Sequence, residues 1–280
     1  MKIGLSYSAL KIDENILREY QVAGIECIEV CCSYKDQFEE IDFKKIKKLC
    51  DAYGIHIWSF HLSFFPFEEL DIASFDENIR NTTIEFFKKQ MTAAASIGID
   101  KFIIHPSAEP YLDDEREEHI RIASLSLKRL SEVAQNLGGV LCVENLPRTC
   151  LSRCSDDMLK LISQDENIMV CFDTNHLLIE DPLEFIHKLS DRIVTLHISD
   201  YDFINERHWL PGEGKLDFYK IYDTLVQIGY AGVWMYEVSP YEIQNETIQR
   251  TRPLNIKDFY INAQEIFNHL PITVCGTPTV

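Results

Sequence analysis

No stretch of the chain approaches the roughly 20 consecutive apolar residues that a membrane-spanning helix needs. The opening residues, MKIGLSYSAL, read as a strand and lack the charged, apolar, small-residue order of a secretory signal. Both absences lead us to expect a cytoplasmic protein with no membrane partner. Basic residues are scarce, with 27 Lys and Arg against 45 Asp and Glu, a formal net charge of −18. Nucleic-acid binding draws most of its affinity from cations on phosphates, and anionic lipid attracts the same cations. Neither partner is expected. A short basic cluster, Lys44 to Lys48, fits the solvent face of a helix. There is no CxxC pair, and the nine cysteines are odd in number. They read as free thiols of a reducing compartment, many of them buried. The Cys31-Cys32 pair and the Cys150/Cys154 spacing give only thin support for a structural zinc.

Linkers, low-complexity tracts and breaks in composition are also missing, so residues 1–280 are read as one domain. What is present is an alternation of short apolar, β-rich runs with longer amphipathic stretches, the mark of βαβ units and a parallel sheet. Eight strands are expected, over residues 3–8, 27–33, 55–63, 101–107, 140–146, 168–176, 193–200 and 232–239. Between them, residues 42–54 place Phe43, Ile46, Leu49 and Cys50 at helical spacing and stop at Gly54. Helical patterns over 75–98 and 115–138 also end in glycine. Asp181 and Pro182 open another helix as cap and first-turn residue. A further helical stretch, LDFYKIYDTLVQIGY, precedes the last strand. Eight strands in 280 residues favour a (β/α)₈ TIM barrel, which runs to about 250 residues, over an open doubly wound sheet.

Chemistry in such a barrel sits at the C-terminal ends of the strands. In chain order those ends carry Ser6 and Tyr7, Glu29 and the cysteine pair, His61, His105, Glu144 with Asn145, Asp173 with His176, His197 with Asp200, and Glu237. Four of the nine histidines fall at these ends, and His208 lies in the loop after the seventh strand. Each of them alone is more readily a satisfied structural histidine. Their convergence, with Glu144, Asp173 and Glu237 ending otherwise apolar runs, is harder to explain that way. A buried unpaired carboxylate costs several kcal/mol, and several around one axis need a cation. Imidazole with carboxylate suits Zn, Mn, Co or Fe. His56, His119, His187 and His269 fall at strand starts or in helices and read as structural. Phe64–Phe67, FFPF, would either cover the site or pack a subunit interface, so a homo-oligomer is one expectation. The stretch 208–214, HWLPGEG, is either a tight turn or a wall of the site.

Taken together, VENL at Glu144, FDTNH at Asp173 and His176, LHISD at His197, HWLPGEG and YEVS at Glu237 resemble the xylose-isomerase-like TIM-barrel superfamily. That group includes ketose 3-epimerases, hydroxypyruvate isomerases, inosose dehydratases and endonuclease IV. The resemblance spans nearly the whole chain, and it is the order and spacing of the motifs that is specific. It implies a divalent metal (Mn, Zn, Co or Mg) on Glu144, Asp173, His197 and Glu237. It implies proton transfer by Glu144 and Glu237, and substrate contacts from His176, His61, His105 and His208. The implied activity is isomerisation or epimerisation of a sugar or sugar phosphate through an enediolate. In the endonuclease branch, His61 and His105 match ligands of an additional metal, and His176 and His208 match ligands of a third. Glu206 stands where that branch has an aspartate. A multi-zinc phosphodiesterase and an inosose-dehydratase-like lyase are therefore the alternatives, the first weakened by the acidity of the chain. A barrel kept only for binding is disfavoured by the retained acid pair.

Overall fold

The computed structural model describes residues 1–240 and 247–280. Strands and helices alternate along it: β1 (Lys2–Ser8), α1 (Glu14–Ala23), β2 (Cys27–Cys31), α2 (Phe43–Tyr53), β3 (His56–His61), α3 (Glu77–Ala95), β4 (Lys101–Ile104), α4 (Arg116–Asn136), β5 (Val140–Glu144), α5 (Ser155–Leu161), β6 (Met169–Asp173), α6 (Pro182–Lys188), β7 (Ile193–His197), α7 (Phe218–Gln227) and β8 (Val233–Tyr236). A short pair of strands, β9 (Ile248–Arg250) and β10 (Gly276–Pro278), brackets the last helix, α8 (Ile256–Phe267).

The first eight strands form one parallel sheet in the order β7-β6-β5-β4-β3-β2-β1-β8. Its two ends meet. Ile198 donates its N–H to Met235 O at 2.8 Å, and Glu237 donates to Ile198 O at 3.1 Å. This closes the TIM barrel. Strand periodicity then sorts the side chains. On β2, Ile28 and Val30 join the large core beneath the helices, whereas Cys27 packs with Val233, Met235 and Trp58. Trp58 reaches across to Thr195 of β7, Nε1 to Oγ1 at 3.1 Å. Glu29 follows the parity of Cys27, so β2 carries a carboxylate on the inner face. Gly4 leaves room for this packing, since a Cβ there would collide with Met235 and Val233.

Helix starts are written by aspartate. The side chains of Asp13, Asp42, Asp76, Asp181 and Asp217 accept first-turn N–H groups of α1, α2, α3, α6 and α7. Gly24 and Gly54 end α1 and α2 in the left-handed region. The strands are shorter than the sequence expects at their C-terminal ends. His105, His176, Asp200 and Glu237 lie just beyond β4, β6, β7 and β8, where the chain leaves the ladder to build the rim. No described helix is long and apolar enough to cross a membrane.

Candidate metal centre and active site

Glu144, Asp173 and His197 end β5, β6 and β7, and Glu237 follows β8. Neighbouring strands in register bring these side chains together, Asp173 pairing with His197 across the β6–β7 ladder. One ligand atom from each of the four lies within 4.8 Å of the others. His197 Nδ1 stands 3.1 Å from Glu144 Oε1, 3.4 Å from Glu237 Oε2 and 3.8 Å from Asp173 Oδ2. Two further groups meet the same spacing: His61 and His105 with Glu144, and His176, Glu206 and His208. His61 and His105 face the second Glu144 oxygen at 3.0 and 3.3 Å. His176 Nε2 lies 3.3 Å from Glu206 Oε2. Every histidine expected at the strand ends is therefore in the site. His56 and His187 sit at the start of β3 and within α6, His119 is buried in α4 against the Ala73 carbonyl, and His269 pairs with Asp223 beyond α8.

The donor set fits a cation on two observations. Asp173 Oδ2 and Glu237 Oε2 are buried atoms without a hydrogen-bond partner among the described residues. Burial and the nearby Glu237 and Glu144 push the Asp173 carboxyl well up, against the opposing pull of His176. The ring nitrogens add to this. His61 donates Nδ1–H to Leu62 O at 2.8 Å, and His176 donates Nδ1–H to Asn145 O at 2.9 Å. In the neutral ring each then has Nε2 free to ligate, the tautomer a metal ion would select. Without an ion, His176 keeps a hydrogen on Nε2 toward Glu206; burial opposes that charge, yet the neighbouring carboxylates raise its pKa to about 10. Asp173 itself is held by Asn145, whose amide both accepts from its N–H and donates to its carbonyl, each at 2.8 Å. Burial works against ionisation of Glu237, yet His197 and His208 hold its carboxyl at about 2. Glu206 is likewise held at about 2, where the hydrogen bond and charge of His176 outweigh burial.

A cavity of about 270 Å³ opens over these groups, between Phe64, Phe65 and Phe67 on one side and Glu109, Arg148 and His208 on another. Phe64 stacks on His105, with centroids 4.4 Å apart, so FFPF does border the site. The 208–214 stretch is both a wall and a tight turn. His208 faces the cavity, while Gly212 and Gly214 donate their N–H groups to Asp200 Oδ2 at 2.9 and 2.8 Å. Two pairings escape sequence reasoning. Arg148 takes a positive φ of 51° and forks onto Glu109 at 2.9 and 2.8 Å, with Glu206 at 3.0 Å. Glu29 accepts from His197 Nε2 at 2.9 Å. A carboxylate inside the apolar run CIEVCC is the same signal that marks Glu144, and it was there to be read.

The chain belongs to the xylose isomerase-like TIM barrel family, whose model matches residues 17–257. Among its relatives is the fructoselysine 3-epimerase of Escherichia coli O157:H7, 26% identical over 263 residues, covering 88% of this chain and 94% of that protein. Another is the inosose dehydratase of Lacticaseibacillus casei, 25% identical over 247 residues, covering 78% and 79%. A D-tagatose 3-epimerase-like protein shares the fold with a TM-score of 0.77 at 24% identity, over 96% of each chain.

Proposed function

We propose that the protein is a divalent-metal-dependent sugar isomerase or epimerase, with Glu144, Asp173, His197 and Glu237 as metal ligands and Glu144 and Glu237 as the proton-transfer pair. The observation that carries the reading is the clustering of these four side chains, two of whose buried carboxylate oxygens have no hydrogen-bond partner among the described residues. Relatives named as a 3-epimerase and an inosose dehydratase support it. A bound divalent ion would act as a Lewis acid toward a substrate carbonyl. The chain's own groups do the rest. Glu144 and Glu237 come from β5 and β8, different sides of the ring, so each can address one face of a substrate held between them. Loss of the proton α to a ketone leaves an enediolate. Return of a proton to the opposite face epimerises that carbon, and return to the neighbouring carbon isomerises the sugar. His176, and His61, His105 and His208 around it, would hydrogen-bond substrate oxygens. Phe64 and Phe65 would exclude water.

A second reading is favoured by one specific observation. His61 and His105 with Glu144, and His176, Glu206 and His208, are spaced as two additional ligand groups. That is the number a multi-zinc phosphodiesterase would use. The deciding experiment screens ketoses, ketose phosphates and inososes with added Mn²⁺, Co²⁺ or Mg²⁺, beside an incubation with abasic DNA. Turnover of a ketose with exchange of its α-hydrogen is the expected result. Incision of the DNA without sugar turnover would replace the first reading by the second.

A further inference from the structure

We propose that Glu29 is a positioning residue for His197, fixing which ring nitrogen faces the carboxylate cluster. The inference rests on the metal reading above. Glu29 lies fully buried inside the barrel on β2, and His197 approaches it from β7. His197 Nε2 is 2.9 Å from Glu29 Oε1. The same oxygen accepts from Ser6 Oγ of β1 at 2.8 Å, and Oε2 accepts from Ser59 Oγ of β3 at 2.6 Å. An ionised carboxylate only accepts hydrogen bonds, so the hydrogen between Glu29 and His197 belongs to Nε2. Nδ1 is then the nitrogen presented to Glu144, Asp173 and Glu237. A cation between them would meet the Nδ1 lone pair; without one, the same rule puts a second hydrogen on Nδ1, shared with Glu144 Oε1 at 3.1 Å.

The other inward-facing imidazoles show why Glu29 is distinctive. His61 and His176 set their tautomers on main-chain carbonyls, at Leu62 and Asn145. His197 uses a charged acceptor brought from another strand of the barrel. A carboxylate behind a ligating histidine both orients the ring and raises its basicity, which a neutral carbonyl does less strongly. Burying that charge is costly, and three donors offset the loss of water. Ser6 and Ser59 hold the carboxylate from two further strands, so its oxygens cannot swing away from the ring. Glu29 has no exposed surface and acts only through His197.

The test titrates Co²⁺ into the metal-free wild type, Glu29→Ala and Glu29→Gln by calorimetry. It also records ring ¹⁵N–¹H correlations of the Zn²⁺-loaded proteins. Glu29→Ala should bind Co²⁺ roughly 10- to 100-fold more weakly, the usual size of a lost outer-shell partner. Glu29→Gln keeps an acceptor oxygen and should recover most of that affinity. That rescue separates positioning from mere filling of the barrel, and it guards against a poorly folded alanine variant. The wild type should show a slowly exchanging Nε2–H on His197 that Glu29→Ala lacks. Equal Co²⁺ affinity in wild type and Glu29→Ala, or a ring hydrogen on Nδ1 of the wild type, overturns the role of Glu29. A wild type that takes up no Co²⁺ overturns the metal reading instead.

Discussion

Arg250 of β9 donates to both oxygens of Glu213, Nε to Oε1 at 3.1 Å and Nη2 to Oε2 at 2.7 Å, and both side chains are almost wholly buried. Glu213 belongs to the turn that follows His208, and its Oε2 also accepts from Leu210 N at 3.0 Å. Trp209 Nε1 reaches Thr247 Oγ1 at 3.1 Å. The C-terminal strand pair thus buttresses the rim loop that carries Glu206 and His208. Replacing Arg250 with Met leaves a buried carboxylate without its partner, a change that costs about 3 to 5 kcal/mol. Thermal unfolding should fall by roughly 10 °C, given about 2–4 °C per kcal/mol for larger domains. An unchanged melting temperature would mean that the pair contributes nothing to the rim.

Asp200 is the second anchor of that loop. Its oxygens accept from Tyr201, Gly212, Gly214 and Leu216 N–H groups. Burial pushes its carboxyl up to about 6 despite those donors. The folded chain then holds this proton in a range where the unfolded chain, near 3.9, has released it. The contribution of Asp200 to stability is full below about pH 4 and is lost as pH rises through about 6. Measured by urea unfolding, the stability of the wild type minus that of Asp200→Asn should therefore shrink between pH 4.5 and 7. A gap that widens instead would show that the four N–H donors dominate and the carboxyl is depressed.

The cavity bears on substrate choice. Its lining includes Glu109, Glu144, Glu206 and Glu237, while the guanidinium of Arg148 is already engaged by Glu109 and Glu206. Among the described residues of that lining Arg148 is the one Lys or Arg, so a phosphate there would enter beside carboxylates, whereas Lys11 lines the adjoining pocket that shares His208 and Glu237. Unphosphorylated ketoses should be turned over with kcat/KM about tenfold or more above their phosphates, a difference of about 1.4 kcal/mol. Glu109→Ala loosens Arg148 and should narrow the gap. Equal rates on both substrate types in the wild type would count against this account of the cavity.

Asp173→Ala tests the metal set from another side. The substitution removes a carboxylate whose Oδ2 has no hydrogen-bond partner among the described residues, so the barrel should persist by circular dichroism. Metal content measured after dialysis against Mn²⁺ or Zn²⁺ should fall to background. Adding metal should raise the melting temperature of the wild type, since binding stabilises only the folded state, and leave the variant unmoved. Full occupancy in Asp173→Ala would remove Asp173 from the ligand set.

Much of this architecture is legible in the sequence because the barrel buries its strands on both faces. An acid or histidine that ends an apolar run is then conspicuous, and Glu144, Asp173, His197 and Glu237 are found that way. What the sequence conceals is pairing over distance. Residues 248–250 and 276–278 are too short to register as strands, and nothing local says that Arg250 will meet Glu213. The helix Glu14–Ala23 buries Leu17, Tyr20 and Ala23 but leaves Val22 exposed, a pattern too short to stand out by periodicity. Glu29 is visible at its strand end, yet its partner His197 lies 168 positions away, and only closure of the ring brings them together.

The proton-transfer pair remains the sharpest test of the proposed chemistry. Glu144 and Glu237 flank His197, with Glu144 Oε1 at 3.1 Å and Glu237 Oε2 at 3.4 Å from the same ring nitrogen. They arise from β5 and from the end of β8. A carboxylate that ligates a cation through one oxygen is a weak base there, but its other oxygen can still accept a proton. The two glutamates are not equivalent in this respect. Both line the cavity, but the second oxygen of Glu144 faces His61 and His105 and its side chain is buried, whereas the Glu237 side chain is partly exposed. Glu237 is therefore the freer base, and Glu144 should depend on the state of the two histidines behind it. Glu144→Gln and Glu237→Gln each keep an oxygen donor and remove the base. Each should lower kcat by about 10²-fold or more, the usual size of a general-base contribution. In D₂O the wild type should place deuterium on the α-carbon of recovered substrate. Glu237→Gln should lose that exchange outright with metal content intact, and Glu144→Gln should lose it together with part of its metal. Undiminished exchange in both variants would move the proton to another group, with His176 the next residue in reach.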